Sequence, residues 1–268
     1  MNINIVTTFS QEGLSKYGQR MIDSFENNWP SNINLYVYAE DCIPTIKNSN
    51  VHYINMSATC DKLMEFKNKW KNVPKANGDV TNDPMRSKRK DSGKGFKWDA
   101  VRFSHKVYAI FDCAEKVKGD WLVWMDADTF CHSPVTYEKV LSFLPNDKDI
   151  CFLGRDGKYT ECGLYALNMN NSTTLNFLNR FEDMYENADN GIFTLDEWHD
   201  SFVFDAVRKE FSLKEHNWSA GIIRGEGHPL INSEWGAYLD HLKGARKDTG
   251  KSHAKDLKIK RTESYWTN

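Results

Sequence analysis

Two carboxylates two positions apart, Asp126 and Asp128, directly follow the apolar run Trp121-Leu-Val-Trp-Met125. Where a buried strand opens into a loop, such a pair can converge on one hard cation. Mn²⁺ or Mg²⁺ takes oxygen ligands and keeps phosphate oxygens in its shell. Ligands of open α/β sheets bind outside the carboxyl ends of the strands, where this pair falls. The triplet D-x-D alone is weak, because a chain with this much Asp produces it by chance roughly twice. Asp147-Lys148-Asp149 is the internal control: it lies between a helix and the next strand, at the other end of the sheet, and reads as a solvated turn. Asp126 and Asp128 abut a core strand instead and need compensation for lost hydration, which a cation supplies.

A second constellation comes late. His241, Gly244 and Lys247 form H-x-x-G-x-x-K, a spacing expected by chance in about one chain in twenty. The imidazole of His241 offers a third protein ligand, well suited to Mn²⁺. Gly244 lets the backbone approach a diphosphate, and Lys247 can neutralise charge developing on a departing one. The bland alternative is a basic C-terminal surface with an incidental His.

The elements that must position these residues alternate in type, as in a mostly parallel sheet with crossover helices. Residues 3–9, 35–39, 51–54, 121–125, 150–153 and 164–167 read as strands. The 121–125 run is continuously apolar, as in a central strand covered on both faces. Residues 17–29, 57–73, 98–117, 173–186 and 196–211 read as helices, and Ser133-Pro134 reads as an N-cap with Pro at N1, opening a helix to Leu144. Residues 74–97 form a long basic loop with almost no apolar anchors, read as functional and ordering with substrate. Residues 212–268 are irregular and basic. The whole of 1–268 is read as one domain, without internal repeat or clean linker.

D-x-D after an apolar strand, followed by H-x-x-G-x-x-K near the C-terminus, resembles the retaining glycosyltransferases that include glycogenin and the lipopolysaccharide galactosyltransferases. The resemblance covers the order of elements from residue 1 to about 250. It implies the GT-A fold, a Rossmann-like α/β sheet binding a nucleotide sugar with Mn²⁺. Those families follow the Lys with Pro-Trp, where this chain has Asp248-Thr249. The resemblance further implies that Thr7, Thr8 and Tyr17 surround base and ribose, with Glu40-Asp41 near the base and Ala127 at the donor. Lys106, on the helix leading to the D-x-D strand and one turn after Arg102, would meet donor sugar or diphosphate. Glu161 and Gly163, in a turn before strand 164–167, would line the sugar. Asp200 matches in order a residue beside the reacting carbon, and His199 or Asp200 would stabilise an oxocarbenium-like transition state or accept a proton. Helix capping is the alternative role for Asp200.

The expected function is transfer from a nucleoside-diphosphate sugar, most simply a UDP-sugar, to a hydroxyl acceptor, with retention implied by the resemblance. The basic segments 86–97 and 243–261 could receive an anionic acceptor: a glycan, a lipid-linked carrier or a nucleic acid. A DNA-modifying transferase acting on a hydroxymethylated base is the first alternative. A nucleotidyltransferase is the second, although Gln11-Glu12-Gly13 is a poor Gly-rich loop. An inactive sugar-binding relative is the third. Net charge is −2, so the chain as a whole is no polyanion binder by composition. No stretch approaches the roughly 18 apolar residues of a membrane span. The six cysteines lack metal-ligand spacing and several sit in apolar runs, which points to buried thiols in a reducing cytoplasm.

Overall fold

The computed structural model describes residues 1–225 and 227–268. Its strands, in chain order, are β1 (Ile3–Phe9), β2 (Asn34–Ala39), β3 (Val51–Asn55), β4 (Trp121–Met125), β5 (Thr129–Cys131), β6 (Ile150–Arg155), β7 (Lys158–Asn168), β8 (Glu215–Asn217) and β9 (Leu239–His241). Seven of them form one sheet in the order β3-β2-β1-β4-β7-β6-β8, and β5 pairs with β9 separately. Strands β3, β2, β1 and β4 run parallel, whereas β7 is antiparallel to both its neighbours. The expected α/β architecture, mostly parallel and flanked by helices, is the one observed.

The principal helices are α1 (Gln19–Asn28), α2 (Asp61–Trp70), α3 (Ala100–Lys116), α4 (Tyr137–Ser142), α5 (Ser172–Glu186), α6 (Asp200–Arg208) and the short α7 (Arg246–Thr249). The sheet separates two apolar cores. Trp121, Val123 and Met125 face one with Ile3, Ile5 and Phe25 of α1; Leu122 and Trp124 face the other with residues of α2, α3, α5 and α6. This two-sided covering explains why the β4 sequence is apolar without alternation.

Several local expectations are corrected. Residues 160–163 are not a turn before a strand but lie inside β7, which starts directly after a tight hairpin at Gly157 (φ 74°). Thr160 is held there by Asp205, which accepts from both its N–H and its hydroxyl at 2.8 Å. Ser133-Pro134 does not open a helix: α4 begins at Tyr137 with Thr136 as N-cap, and the Ser133 hydroxyl bonds His132 instead. The helix expected at 17–29 starts earlier, through a π turn at Leu14–Gly18 that carries Tyr17. The one expected at 57–73 is broken at Cys60. Asp196–His199 lie outside α6, which begins at Asp200.

The 74–97 loop has anchors of its own. Ala76 and Val80 enter the core, and the Arg86 guanidinium donates to the Leu195 carbonyl at 2.7 Å while lying over the Trp198 ring. Arg89 and Lys97 both reach the buried Glu197. The sequence reading missed the ionic part of this anchoring because its partners come about 100 residues later. All six cysteines are buried and unbridged. No helix among the described residues is long and apolar enough to cross a membrane.

Candidate functional site

At the end of β4 the Asp126 N–H donates to the Gly163 carbonyl of β7 at 2.8 Å, and its own carbonyl accepts from Thr129 N–H at 2.9 Å. The chain therefore turns through Ala127 and Asp128 straight into β5. Strand β9 pairs with β5 so that His241 lies opposite Thr129, and Leu242 N–H donates to the Asp128 carbonyl. Backbone pairing thus brings His241, more than a hundred residues downstream, beside the D-x-D pair.

Ligand atoms of Asp126, Asp128 and His241 all lie within 4.8 Å of one another. The two carboxylates divide their oxygens alike. Asp126 Oδ1 accepts from Trp124 Nε1 at 2.7 Å and from Lys106 Nζ at 2.8 Å, while Oδ2 lies 3.7 Å from His241 Nε2. Asp128 Oδ2 pairs with Lys247 Nζ at 2.9 Å, while Oδ1 lies 3.1 Å from His241 Nε2. Each is steadied through one oxygen and turned with the other toward the imidazole. This donor set of two hard oxygens and one nitrogen fits a divalent cation such as Mn²⁺. Burial pushes the Asp128 pKa up, but His241 and Lys247 outweigh it and hold the carboxyl well below its ordinary range. Burial opposes charge on His241, yet Asp128 and Glu161 raise its pKa.

Gly163 serves this triad. A Cβ there would sit 2.6 Å from His241 Cε1 and 2.9 Å from Nδ1, so the missing side chain makes room for the imidazole ring. Gly163→Ala displaces that ring, and the Kd for Mn²⁺ in titration calorimetry is expected to rise about 10–100-fold, as for other lost ligand supports. Wild-type affinity in a folded Gly163→Ala protein would remove His241 from the ligand set.

Lys106, on α3 and 8% exposed, connects this triad to Asp200. Its ammonium lies 2.8 Å from Asp126 Oδ1 and 2.6 Å from Asp200 Oδ2, and it donates to the Cys162 carbonyl. Burial opposes its charge, but Asp126 and Asp200 outweigh burial and raise its pKa. Asp200 shows the converse: burial raises its pKa, and Lys106 with His199 brings it well below the usual carboxylate range. Asp200 is the first residue of α6 rather than its cap. His199 Nε2 bonds Glu197 at 3.0 Å, and Nδ1 stands 3.9 Å from Asp200. The expected stripe of Arg102 and Lys106 is divided, for Arg102 is exposed and Lys106 is buried.

Two cavities of about 650 Å³ each meet at Phe103, Lys106 and Asp126. The first is lined by Thr8, Tyr17, Glu40, Ala127, Asp128 and Lys247, among others. The second takes in Glu161, Gly163, His199 and Asp200. Most residues singled out in the sequence thus converge on one bipartite cleft. Thr7 does not: its side chain points into the core, while Thr8 on the opposite face of β1 reaches the cleft. Gly244 lines neither cavity and adopts φ 63°, which turns the chain so that α7 carries Lys247 back over the Tyr17 ring at 4.7 Å. Glu161 is buried between Lys243 and Arg155; burial raises its pKa, but Lys243, His241 and Arg155 outweigh burial and lower it to about 2. Trp124 and Arg155 were not foreseen, and Lys243 was read only as part of a basic acceptor segment. Trp124 was hidden inside an apolar run, although its position two residues before Asp126 was the available signal.

Half of the fourteen Lys and Arg residues of the two basic segments are ion-paired within the fold. Arg86 pairs with Asp83, Arg89 with Asp91 and Glu197, Lys97 with Asp91 and Glu197. Lys243 pairs with Glu161, Arg246 with Asp256, Lys247 with Asp128 and Arg261 with Glu263.

Residues 88–208 match the family model described as glycosyl transferase family 2. The matched stretch holds Lys106, both aspartates, Glu161, Gly163 and Asp200, and ends before His241 and Lys247. No curated protein matches the chain. Among solved structures, the WbbM bifunctional glycosyltransferase in its apo form is 11% identical with a TM-score of 0.45, covering 81% of this chain and 39% of that one. Mouse xyloside xylosyltransferase 1, also apo, is 12% identical with a TM-score of 0.44, covering 81% and 85%. The glycosyltransferase GlyE of Streptococcus pneumoniae TIGR4 is 8% identical with a TM-score of 0.42, covering 81% and 45%. The chain therefore spans less than half the length of two of these three, and the likeness is too loose to assign residue roles.

Proposed function

We propose, taking the chain as a glycosyltransferase from its family match, that it moves a sugar from a nucleoside-diphosphate donor to a hydroxyl acceptor. The observation that carries this reading is the meeting of two cavities at Asp126 and Lys106, beside three convergent ligand atoms. The nucleotide occupies the first cavity, with Thr8 and Tyr17 toward base and ribose and Lys247 toward the diphosphate. Asp126, Asp128 and His241 would hold Mn²⁺ or Mg²⁺, which when bound neutralises diphosphate charge as a Lewis acid. The sugar projects past Asp126 into the second cavity, against Gly163 and Asp200.

The C1–O bond to the diphosphate breaks with its electron pair leaving on phosphate. The acceptor oxygen bonds C1, and its proton passes to the departing phosphate oxygen. Lys247 offsets charge growing on the leaving group, its ammonium steadied over the Tyr17 ring. Asp200, with its depressed pKa, stays ionised near neutrality and is a weak proton acceptor. Its role is to accept a sugar hydroxyl bond and offset positive charge at C1. His199, fixed by Glu197, orients Asp200. Retention is proposed on the resemblance of the late His-Gly-Lys motif, and the anomer of the product by NMR tests it.

Incubation with a panel of nucleoside-diphosphate sugars and Mn²⁺ is expected to release nucleoside diphosphate from at least one donor, and EDTA abolishes the release. No hydrolysis of any donor would sink the proposal, and pyrophosphate released from a nucleoside triphosphate would point to nucleotidyl transfer.

A further inference from the structure

The second cavity does not end at Asp200. It shares Asp91, Lys97, Lys158 and Tyr159 with a third cavity of about 970 Å³ that extends along α6 to Phe202, Ala206 and Lys209. An elongated trench therefore runs from the expected reacting carbon, over the Tyr159 ring, to the far end of α6.

Its lining combines aromatic faces with both signs of charge. Phe96, 47% exposed, sits on the wall of the near cavity, and Phe202 on that of the far one. With Tyr159 they surround His199, at centroid distances of 5.9, 4.9 and 6.3 Å for Phe96, Tyr159 and Phe202. Carboxylates are present along the whole length: Asp200, Glu161 and Asp91 in the near part, Asp196, Glu197 and Asp205 in the far part. Cations line it as well: of the long loop, Arg89 and Lys97 are already paired with these carboxylates and Lys94 also reaches the near part, while Lys106 pairs with Asp126 and Asp200, and Arg155 and Lys243 with Glu161.

A polyphosphate backbone laid along this surface would meet those carboxylates throughout, with part of the neutralising charge already committed. A saccharide suits the same surface. Its hydroxyls both donate and accept, matching a lining of mixed charge, and its C–H faces pack on exposed aromatic rings.

We propose that the acceptor is a saccharide chain of two or more residues, bound along this trench with its reacting hydroxyl at Asp200. This rests on the donor reading above and deepens it: the length of the trench favours an oligomer, and cations mostly committed to neighbouring carboxylates favour a saccharide over a nucleic acid.

The test offers the Mn²⁺-loaded protein its best donor together with mono-, di- and tetrasaccharides of glucose, galactose and N-acetylglucosamine, and with a single-stranded oligodeoxynucleotide bearing hydroxymethylcytosine. In at least one saccharide series, acceptor kcat/KM rises about tenfold or more with length, and salt changes it less than threefold between about 50 and 200 mM. Ala206→Arg, which obstructs the far part of the trench, brings the tetrasaccharide value down to that of the disaccharide. Phe202→Ala provides a second, independent loss confined to the longer acceptor.

Equal rates for mono- and tetrasaccharide would overturn the proposal, as would an Ala206→Arg protein that keeps the full length dependence. Transfer to the oligodeoxynucleotide with a steep salt loss, or donor hydrolysis with no transfer to any saccharide, would also overturn it. These outcomes leave the donor reading standing, whereas absence of donor hydrolysis defeats that reading first.

Discussion

Asp128→Asn is expected to lower donor hydrolysis and transfer about 10²–10³-fold, the scale seen when one preorganised charge at a developing oxyanion is lost. Asn preserves the shape of the side chain and the backbone bond from Leu242 to the 128 carbonyl. It removes the negative charge that faces His241 through Oδ1 and Lys247 through Oδ2. Both effects act on the departing diphosphate, since the cation loses a ligand and Lys247 loses the partner that positions it. The defect is therefore expected in kcat as well as in the Mn²⁺ concentration giving half-maximal rate. Asp147→Asn is the matched control, since that carboxylate is 75% exposed and pairs, among the described residues, with neighbouring Lys148. Wild-type turnover by Asp128→Asn, at any Mn²⁺ concentration, would end the clamp proposal.

What could be read in the sequence follows from how local each cause was. The D-x-D pair was legible because an apolar run and the pair it delivers are contiguous, and β4 emerges as the central, doubly covered strand. His241 and Lys247 were legible through their spacing. The manner of their arrival was not, since the β5–β9 pairing joins two three-residue strands too short to carry a pattern. Gly163 was chosen for close approach, and the close approach is real, but it is by the His241 ring.

The remaining differences have a common cause in distant polar partners. Residues 160–163 read as a turn because Glu161 and Gly163 are poor strand formers. They lie in a strand because Asp205 holds Thr160 and because Arg155 and Lys243 neutralise Glu161. The 74–97 loop read as unanchored because its anchor, Glu197, belongs to another part of the chain. Thr7 and Thr8 differ only in strand parity, and a two-residue polar run does not reveal which faces the cleft.

Lys106→Met is expected to be strongly destabilising. The ammonium lies 2.8 Å from Asp126 and 2.6 Å from Asp200, in a position 8% exposed. Methionine, one atom shorter, roughly fills its volume but leaves Asp200 buried without its principal counter-ion. Removing one partner of such a pair costs about 3–5 kcal/mol, measurable as a fall in urea midpoint at pH 7. The pH dependence identifies the cause. In the wild type the folded-state pKa of Asp200 is depressed, so its contribution is fully present above the ordinary carboxylate range and is lost only as pH falls through the folded value. In Lys106→Met the larger depressing charge is gone and only His199 is left to oppose burial, so the Asp200 pKa is expected to rise above its unfolded value. The folded variant then binds more protons than the unfolded chain, so its stability falls as pH increases. The deficit relative to wild type is accordingly largest near pH 8 and narrows toward pH 5. A deficit constant across that range would mean lost packing rather than an uncompensated carboxylate, and the bridge from the metal pair to Asp200 would then have no electrostatic role.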